Sequence, residues 1–233
     1  MIDPKVIVAL DYASAADAFN FVDKIDSSLC NLKVGKELFT IAGPDFVKEL
    51  VKRNFRVFLD LKFHDIPNTV LKACEAASDL GVWLVDVHTT GGSVMMEMAA
   101  RALKANNSAT KIIGVTVLTS MDEAGLKEIG IDISPKEQVL RLAALAKNSG
   151  LDGVVASAQE SSIIRRSCGD DFLIVTPGIR PAGSDIGDQS RIMTPAQAIE
   201  AGSDYLVIGR PITKALDPVL ALTEINQQIQ KAG

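Results

Sequence analysis

Eight short β-branched runs alternate with amphipathic helical stretches from one end of the chain to the other. Such alternation predicts an α/β fold with parallel strands and right-handed crossovers. Eight units in 233 residues predict a (β/α)8 TIM barrel, a single domain over residues 1–233. A further observation favours the closed barrel over an open, doubly wound sheet. The turn after the first strand, Asp11-Tyr12-Ala13-Ser14, lacks the Gly-x-Gly-x-x-Gly pattern of dinucleotide-binding sheets. Nearly every strand also ends in a polar or charged residue, and in a barrel that concentration at one mouth marks an active site.

The first strand is Val6–Leu10 and stops at Asp11. Ser14 caps the helix that follows, whose apolar positions are Ala18, Phe19, Val22 and Ile25. Leu32–Gly35 is a short second strand. Gly43-Pro44 punctuates the next stretch, and Phe46, Val47, Leu50 and Val51 mark a helix face. Val57–Leu61 is the third strand, followed by a helix over Asn68–Leu80 that ends near Gly81. Trp83–Val87 is the fourth strand and ends at His88; Gly91-Gly92 opens the next helix. Ile112–Leu118 is the fifth strand. Ser134-Pro135 supplies an N-cap and a first-turn proline for a helix that Gly150 ends. Gly153–Ala156, Leu173–Thr176 and Tyr205–Ile208 are the last three strands, and Asp217-Pro218 opens the closing helix. The longest irregular segment, Gly178–Met193, is expected to be a lid or binding loop, because compact domains rarely keep such loops without a use.

Composition narrows the function classes. Hydrophobic residues make up 47% of the chain, enough for a large core. A formal net charge of −5 argues against a nucleic-acid binder held by phosphate contacts, yet leaves room for a small anionic substrate where cations cluster. The three cysteines, Cys30, Cys74 and Cys168, are widely spaced and form no Cys-x-x-Cys pair. They read as reduced thiols of a cytoplasmic protein and not as a zinc site. No apolar run reaches the ~18 residues of a membrane span, and the N-terminus runs directly into a strand with no secretion signal.

The densest chemistry lies at Asp60-Leu61-Lys62-Phe63-His64-Asp65. Strand alternation places Asp60 and Lys62 on one face, where opposite charges are costly unless paired. The other strand ends add Asp11, Lys33, His88, Thr119, Ser157, Arg180 and Arg210 to the same mouth. Gly209-Arg210 and Gly178-Ile179-Arg180 follow the eighth and seventh strands, where barrels commonly bind phosphate. Gln189, on the long loop, could clamp a phosphate or a base. His88 reads as a mouth histidine making one hydrogen bond, His64 as a loop or interface residue, and Glu37 as a helix-start charge.

The run Asp60–Thr69, with Val8–Asp11, Leu32–Lys36, Val115–Met121, Thr176–Pro181 and Val207–Pro211, closely resembles the orotidine 5′-monophosphate decarboxylase family over essentially the whole chain. The resemblance implies a cofactor-free, metal-free homodimer that converts orotidine 5′-monophosphate to uridine 5′-monophosphate and carbon dioxide. It implies Lys62 as proton donor, flanked by Asp60 and Lys33, with Asp65 and Thr69 reaching the neighbouring subunit's site. It further implies Asp11 at a ribose hydroxyl, Thr119 at the pyrimidine, and Arg180, Gln189, Gly209 and Arg210 at the phosphate. Three rivals remain. One is a magnesium-dependent phosphosugar decarboxylase or aldol enzyme of the same superfamily, which places an acidic ligand where this chain has Lys33. The others are a Schiff-base aldolase using Lys62 and a non-catalytic nucleotide binder.

Overall fold

The computed structural model describes residues 3–181 and 193–232 of the chain. Eight parallel strands among these residues close into a barrel in sequence order, β1 (Val6–Ala9), β2 (Asn31–Gly35), β3 (Val57–Phe63), β4 (Leu84–His88), β5 (Lys111–Val115), β6 (Gly153–Val155), β7 (Leu173–Thr176) and β8 (Tyr205–Ile208). The ring shuts where Val6, Ile7 and Val8 pair with Leu206, Val207 and Ile208.

The helices form the outer layer: α1 (Ala15–Val22), α2 (Lys36–Lys52), α3 (Pro67–Asp79), α4 (Gly92–Ala105), α5 (Glu123–Glu128), α6 (Pro135–Asn148), α7 (Ala158–Cys168), α8 (Pro195–Glu200), α9 (Arg210–Thr213) and α10 (Pro218–Gln230). Their starts follow the predicted caps. Ser14 accepts the Asp17 N–H, Ser134 and Glu137 form a reciprocal capping box, and Asp217 accepts from Val219 and Leu220. Gly43, at φ +69°, kinks α2 just before Pro44.

Strand alternation divides the core into two layers. Ile7, Ala9, Phe58, Leu84, Ile113, Val175, Tyr205 and Val207 fill the barrel interior. Their sequence neighbours Val6, Val8, Leu10, Val57, Leu59 and Val85 face the helices. The same alternation carries Lys33, Asp60 and Asp86 inward, above the apolar layer. At the opposite end, the Arg56 guanidinium lies 3.8 Å from the centre of the Trp83 ring and pairs with Asp3.

Several strand bounds shift by a residue from the sequence reading, and larger differences fall at β5, β3, α5 and α9. β5 stops at Val115, not Leu118. β6 is three residues long; the Thr116 N–H and hydroxyl both donate to its last carbonyl, Val155, at 3.2 and 2.8 Å, and Val117–Leu118 then enter the mouth. β3 runs on to Phe63 through a shift in its register with β4 between Leu59 and Phe63. The short helices α5 and α9 lie in segments too brief for helical periodicity to register.

Gly153 sits where β6 meets β7. A Cβ there would lie 2.3 Å from the Leu173 carbonyl oxygen and 2.5 Å from its Cβ. Gly153→Ala is therefore expected to destabilise the barrel by about 2 kcal/mol through overpacking, read as a lowered thermal midpoint. An unchanged midpoint would show that the ladder absorbs the methyl group.

Candidate active site

Lys33, Asp60 and Lys62 form a continuous charge row at the C-terminal mouth. Lys33 Nζ stands 3.2 Å from Asp60 Oδ2 and 3.4 Å from Asp11 Oδ1. Lys62 Nζ hydrogen-bonds the other oxygen of Asp60. Asp60 thus has an ammonium on each oxygen. Burial works against its charge, but Lys33 and Lys62 outweigh burial and hold its pKa below the usual carboxylate value. Burial likewise opposes the charge on Lys33, and the Asp60 and Asp11 carboxylates prevail and raise its pKa.

Each contact is worth about 5 kcal/mol of gross Coulomb energy at an effective dielectric near 20. Desolvating each ion costs several kcal/mol, so the row adds little net stability. Its value lies in fixed charge at a defined place.

Lys62 reaches Asp60 by an unexpected route. Its backbone adopts φ +52°, a left-handed conformation unusual for a residue with a side chain. Leu59 pairs with Val85 and Phe63 with Val87, so Asp60, Leu61 and Lys62 on β3 oppose only Asp86 on β4. The Lys62 N–H donates to Asp86 Oδ1 at 2.8 Å. Asp86 is fully buried, and burial, then the adjacent Asp60 carboxylate, push its pKa well above the carboxylate range.

Three adjoining hollows share Lys33. The first is lined by Asp11, Gly35, Lys36 and Glu37 together with Asp60 and Lys62. The second is largely apolar, with Phe58, Val117, Leu118 and Pro177, and carries Thr119. The third brings Arg180, Arg210 and Lys214 around Gly178 and Gly209. A polar pocket, a largely apolar one and a cationic one meeting at one lysine suit a small molecule that combines hydroxyls, an apolar-faced ring and an anionic group. Arg180 is buried and donates to the Ile179 carbonyl at 2.9 Å, and its own N–H bonds Met193 across the foot of the long loop.

Not every predicted residue joins this cluster. Asp65 is exposed, and its Oδ1 accepts the Ile66 N–H at 2.6 Å. Thr69 is exposed on the first turn of α3. Ser157 caps α7. His88 is half-buried against His64, ring centres 5.5 Å apart. Gln189 lies outside the described residues. Among the described residues, no group of three or more His, Cys, Asp or Glu is placed to hold a metal ion.

The family model for orotidine 5′-phosphate decarboxylase / HUMPS matches residues 4–225. The chain belongs to that family. It is 63% identical over 230 residues to the orotidine 5′-phosphate decarboxylase of Vibrio campbellii, covering 98% of this chain and 99% of the relative. It is 64% identical over 230 residues to that of Vibrio cholerae O395, covering 98% and 100%. A solved orotidine 5′-phosphate decarboxylase from Lactobacillus acidophilus superposes with a TM-score of 0.87 at 42% identity, covering 97% of this chain and 99% of that one.

In this member of the orotidine 5′-phosphate decarboxylase family, sequence reading overlooked two residues at the mouth. Asp86 sits inside an apolar strand, yet shares a face with Leu84 and His88, and that alternation was the available signal. Lys214 lies four residues beyond Arg210, one helical turn away.

Burial lowers the His88 pKa, and neighbouring His64, Lys36 and Lys62 lower it further against the opposing Asp60 carboxylate. In an NMR titration, His88 is expected to ionise below the ordinary imidazole value of about 6.5. Lys62→Met should move it upward, since one opposing charge is gone. A downward move would contradict this arrangement of charges.

Proposed function

We propose that this protein decarboxylates orotidine 5′-monophosphate to uridine 5′-monophosphate, in pyrimidine biosynthesis, without a metal or organic cofactor. The observation that carries the reading is the Lys33–Asp60–Lys62 row beside an apolar slot and a cationic pocket. Family membership supports it, and relatives named as this decarboxylase match nearly the full chain.

Breaking the C6–carboxylate bond leaves an electron pair in an in-plane orbital of the pyrimidine ring. That orbital has no conjugated sink, so a cation must stand near C6 beforehand. Lys62 supplies it as an ammonium, then transfers a proton to C6 as carbon dioxide departs, and solvent restores the proton. Asp60, between two lysines, keeps Lys62 oriented. The substrate carboxylate faces Asp60, and the repulsion is relieved on bond cleavage.

The remaining assignments follow the three hollows. Thr119 contacts the pyrimidine, Asp11 and Lys33 the ribose hydroxyls, and Arg180, Gly209 and Arg210 the phosphate. Gln189 joins the phosphate set on family resemblance alone. Binding energy at the phosphate, remote from C6, serves to orient the reacting carbon.

Asp65 and Thr69 act in the site of a second subunit, in a homodimer working in the cytoplasm. Their exposure supports this, as do Ile66 at 68% and Val94 at 63% exposure on the α3–α4 side. A magnesium-dependent phosphosugar enzyme fits less well, because the Lys33 ammonium stands between Asp11 and Asp60 where a cation would need those carboxylates.

The direct test follows the ultraviolet absorbance of orotidine 5′-monophosphate with purified protein and EDTA. Steady loss of substrate is expected; turnover that requires added magnesium would overturn the reading. Arg210→Ala should raise KM for the nucleotide at least about tenfold by removing a charge-assisted phosphate contact, with the thermal midpoint little changed. Normal KM would remove Arg210 from the phosphate site. For the shared site, Lys62→Ala and Asp65→Ala, each inactive alone, should regain activity when unfolded and refolded together, because mixed dimers contain one intact site. Failure to regain activity, with mixed dimers demonstrated, would place Asp65 in its own subunit's site.

A further inference from the structure

β4 carries a carboxyl that the reaction derived above leaves without a task. Asp86 is fully buried, and its Oδ1 accepts the Lys62 N–H at 2.8 Å. That bond falls where β3 departs from the regular ladder and Lys62 takes its left-handed turn. Such a conformation persists only where surrounding structure holds it, and Asp86 supplies the hydrogen bond that does so. The turn directs the Lys62 ammonium back onto Asp60.

The second oxygen poses a problem that one proton solves. Asp86 Oδ2 is buried and receives no hydrogen bond from any described residue. Asp60 lies across the irregular ladder from Asp86, and its carboxylate pushes the Asp86 pKa up. Two buried carboxylates in contact do not both remain ionised. Asp60 has two ammonium partners and keeps its charge, whereas Asp86 has a backbone N–H alone. A proton on Oδ2 satisfies the orphan oxygen and removes the repulsion together. The ionisable groups that act on Asp86 are Asp60 and Lys62 from β3, and the Asp86 charge is felt in turn by the Cys74 thiol of α3, in the layer outside the barrel. On the β5 side its register partner is the apolar Ile113, and His88 lies two residues along its own strand.

We propose that Asp86 is a positioning residue for the decarboxylation, a neutral acid whose Oδ1 fixes the turn at Lys62 and whose Oδ2–H braces Asp60. The proposal rests on the decarboxylase reading. It adds that Lys62 stands ready at C6 because β4 pins its backbone from below.

The test compares wild-type protein with Asp86→Asn and Asp86→Val. Asparagine keeps an acceptor for the Lys62 N–H and offers an N–H to Asp60; valine offers neither. Asp86→Val is expected to lower kcat about 100-fold with KM within about threefold, the signature of a displaced catalytic group. Asp86→Asn should restore most of that loss. Normal kcat in Asp86→Val, or Asp86→Asn as slow as Asp86→Val, would overturn the proposal.

A second readout needs no turnover and no folded valine variant. A group whose folded pKa is raised stabilises fully below its unfolded pKa, near 4, and loses that contribution as pH rises. The melting temperature of Asp86→Asn should therefore gain on wild type by about 3 °C or more between pH 5 and pH 8. A difference that does not change with pH would overturn the neutral-acid assignment. Absence of turnover in the wild-type protein would instead sink the decarboxylase reading, and the melting comparison would still judge the protonation of Asp86.

Discussion

One buried carboxylate with an ammonium on each oxygen constrains this mouth. Lys33 and Lys62 both reach Asp60 and hold it ionised against burial, and Asp60 in turn ties the two ammonium groups to one point of the mouth. The gross attraction is comparable to the cost of taking the ions out of water, so the arrangement is nearly neutral for stability. What it confers is orientation. Charge that is already placed needs no reorganisation when a substrate develops charge beside it.

The barrel makes this placement with little irregular structure. Strand alternation brings Lys33 and Asp60 inward above a layer of Ile7, Phe58, Leu84 and Ile113. The segments after β7 and β8 add Arg180, Arg210 and Lys214, so one rim is cationic while the centre holds the Lys33–Asp60–Lys62 row. The departure from regularity falls at Lys62, in left-handed conformation and tied to Asp86. Strain of this kind, found where the chemistry is densest, is what a pre-positioned group requires.

Much of this was legible in the sequence. The alternation of β-branched runs and helical periods led directly to the barrel, and reading strand ends collected Asp11, Lys33, Asp60, Thr119, Arg180 and Arg210 at one mouth. Simple alternation also paired Lys62 with Asp60, although the structure joins them through an irregular ladder that period-two reasoning does not contain. The predicted fifth strand runs too far because Val115, Val117 and Leu118 around Thr116 are β-branched or apolar, and such a pattern does not say where a neighbouring strand runs out. Asp86 escaped notice because a single acid between Val85 and Val87 looks like a mid-strand residue until its cross-strand partner is known. Asp65 and Thr69 are exposed and stand apart from the row within one chain, which the spacing of the motif does not reveal.

The account stands or falls on the Lys62 ammonium, and the most direct measurement is the turnover of orotidine 5′-monophosphate by Lys62→Ala. Loss of both the cation at C6 and the proton donor should lower kcat at least about 1,000-fold in a protein that remains folded. Carbon dioxide release at the native rate from that variant would contradict the central claim.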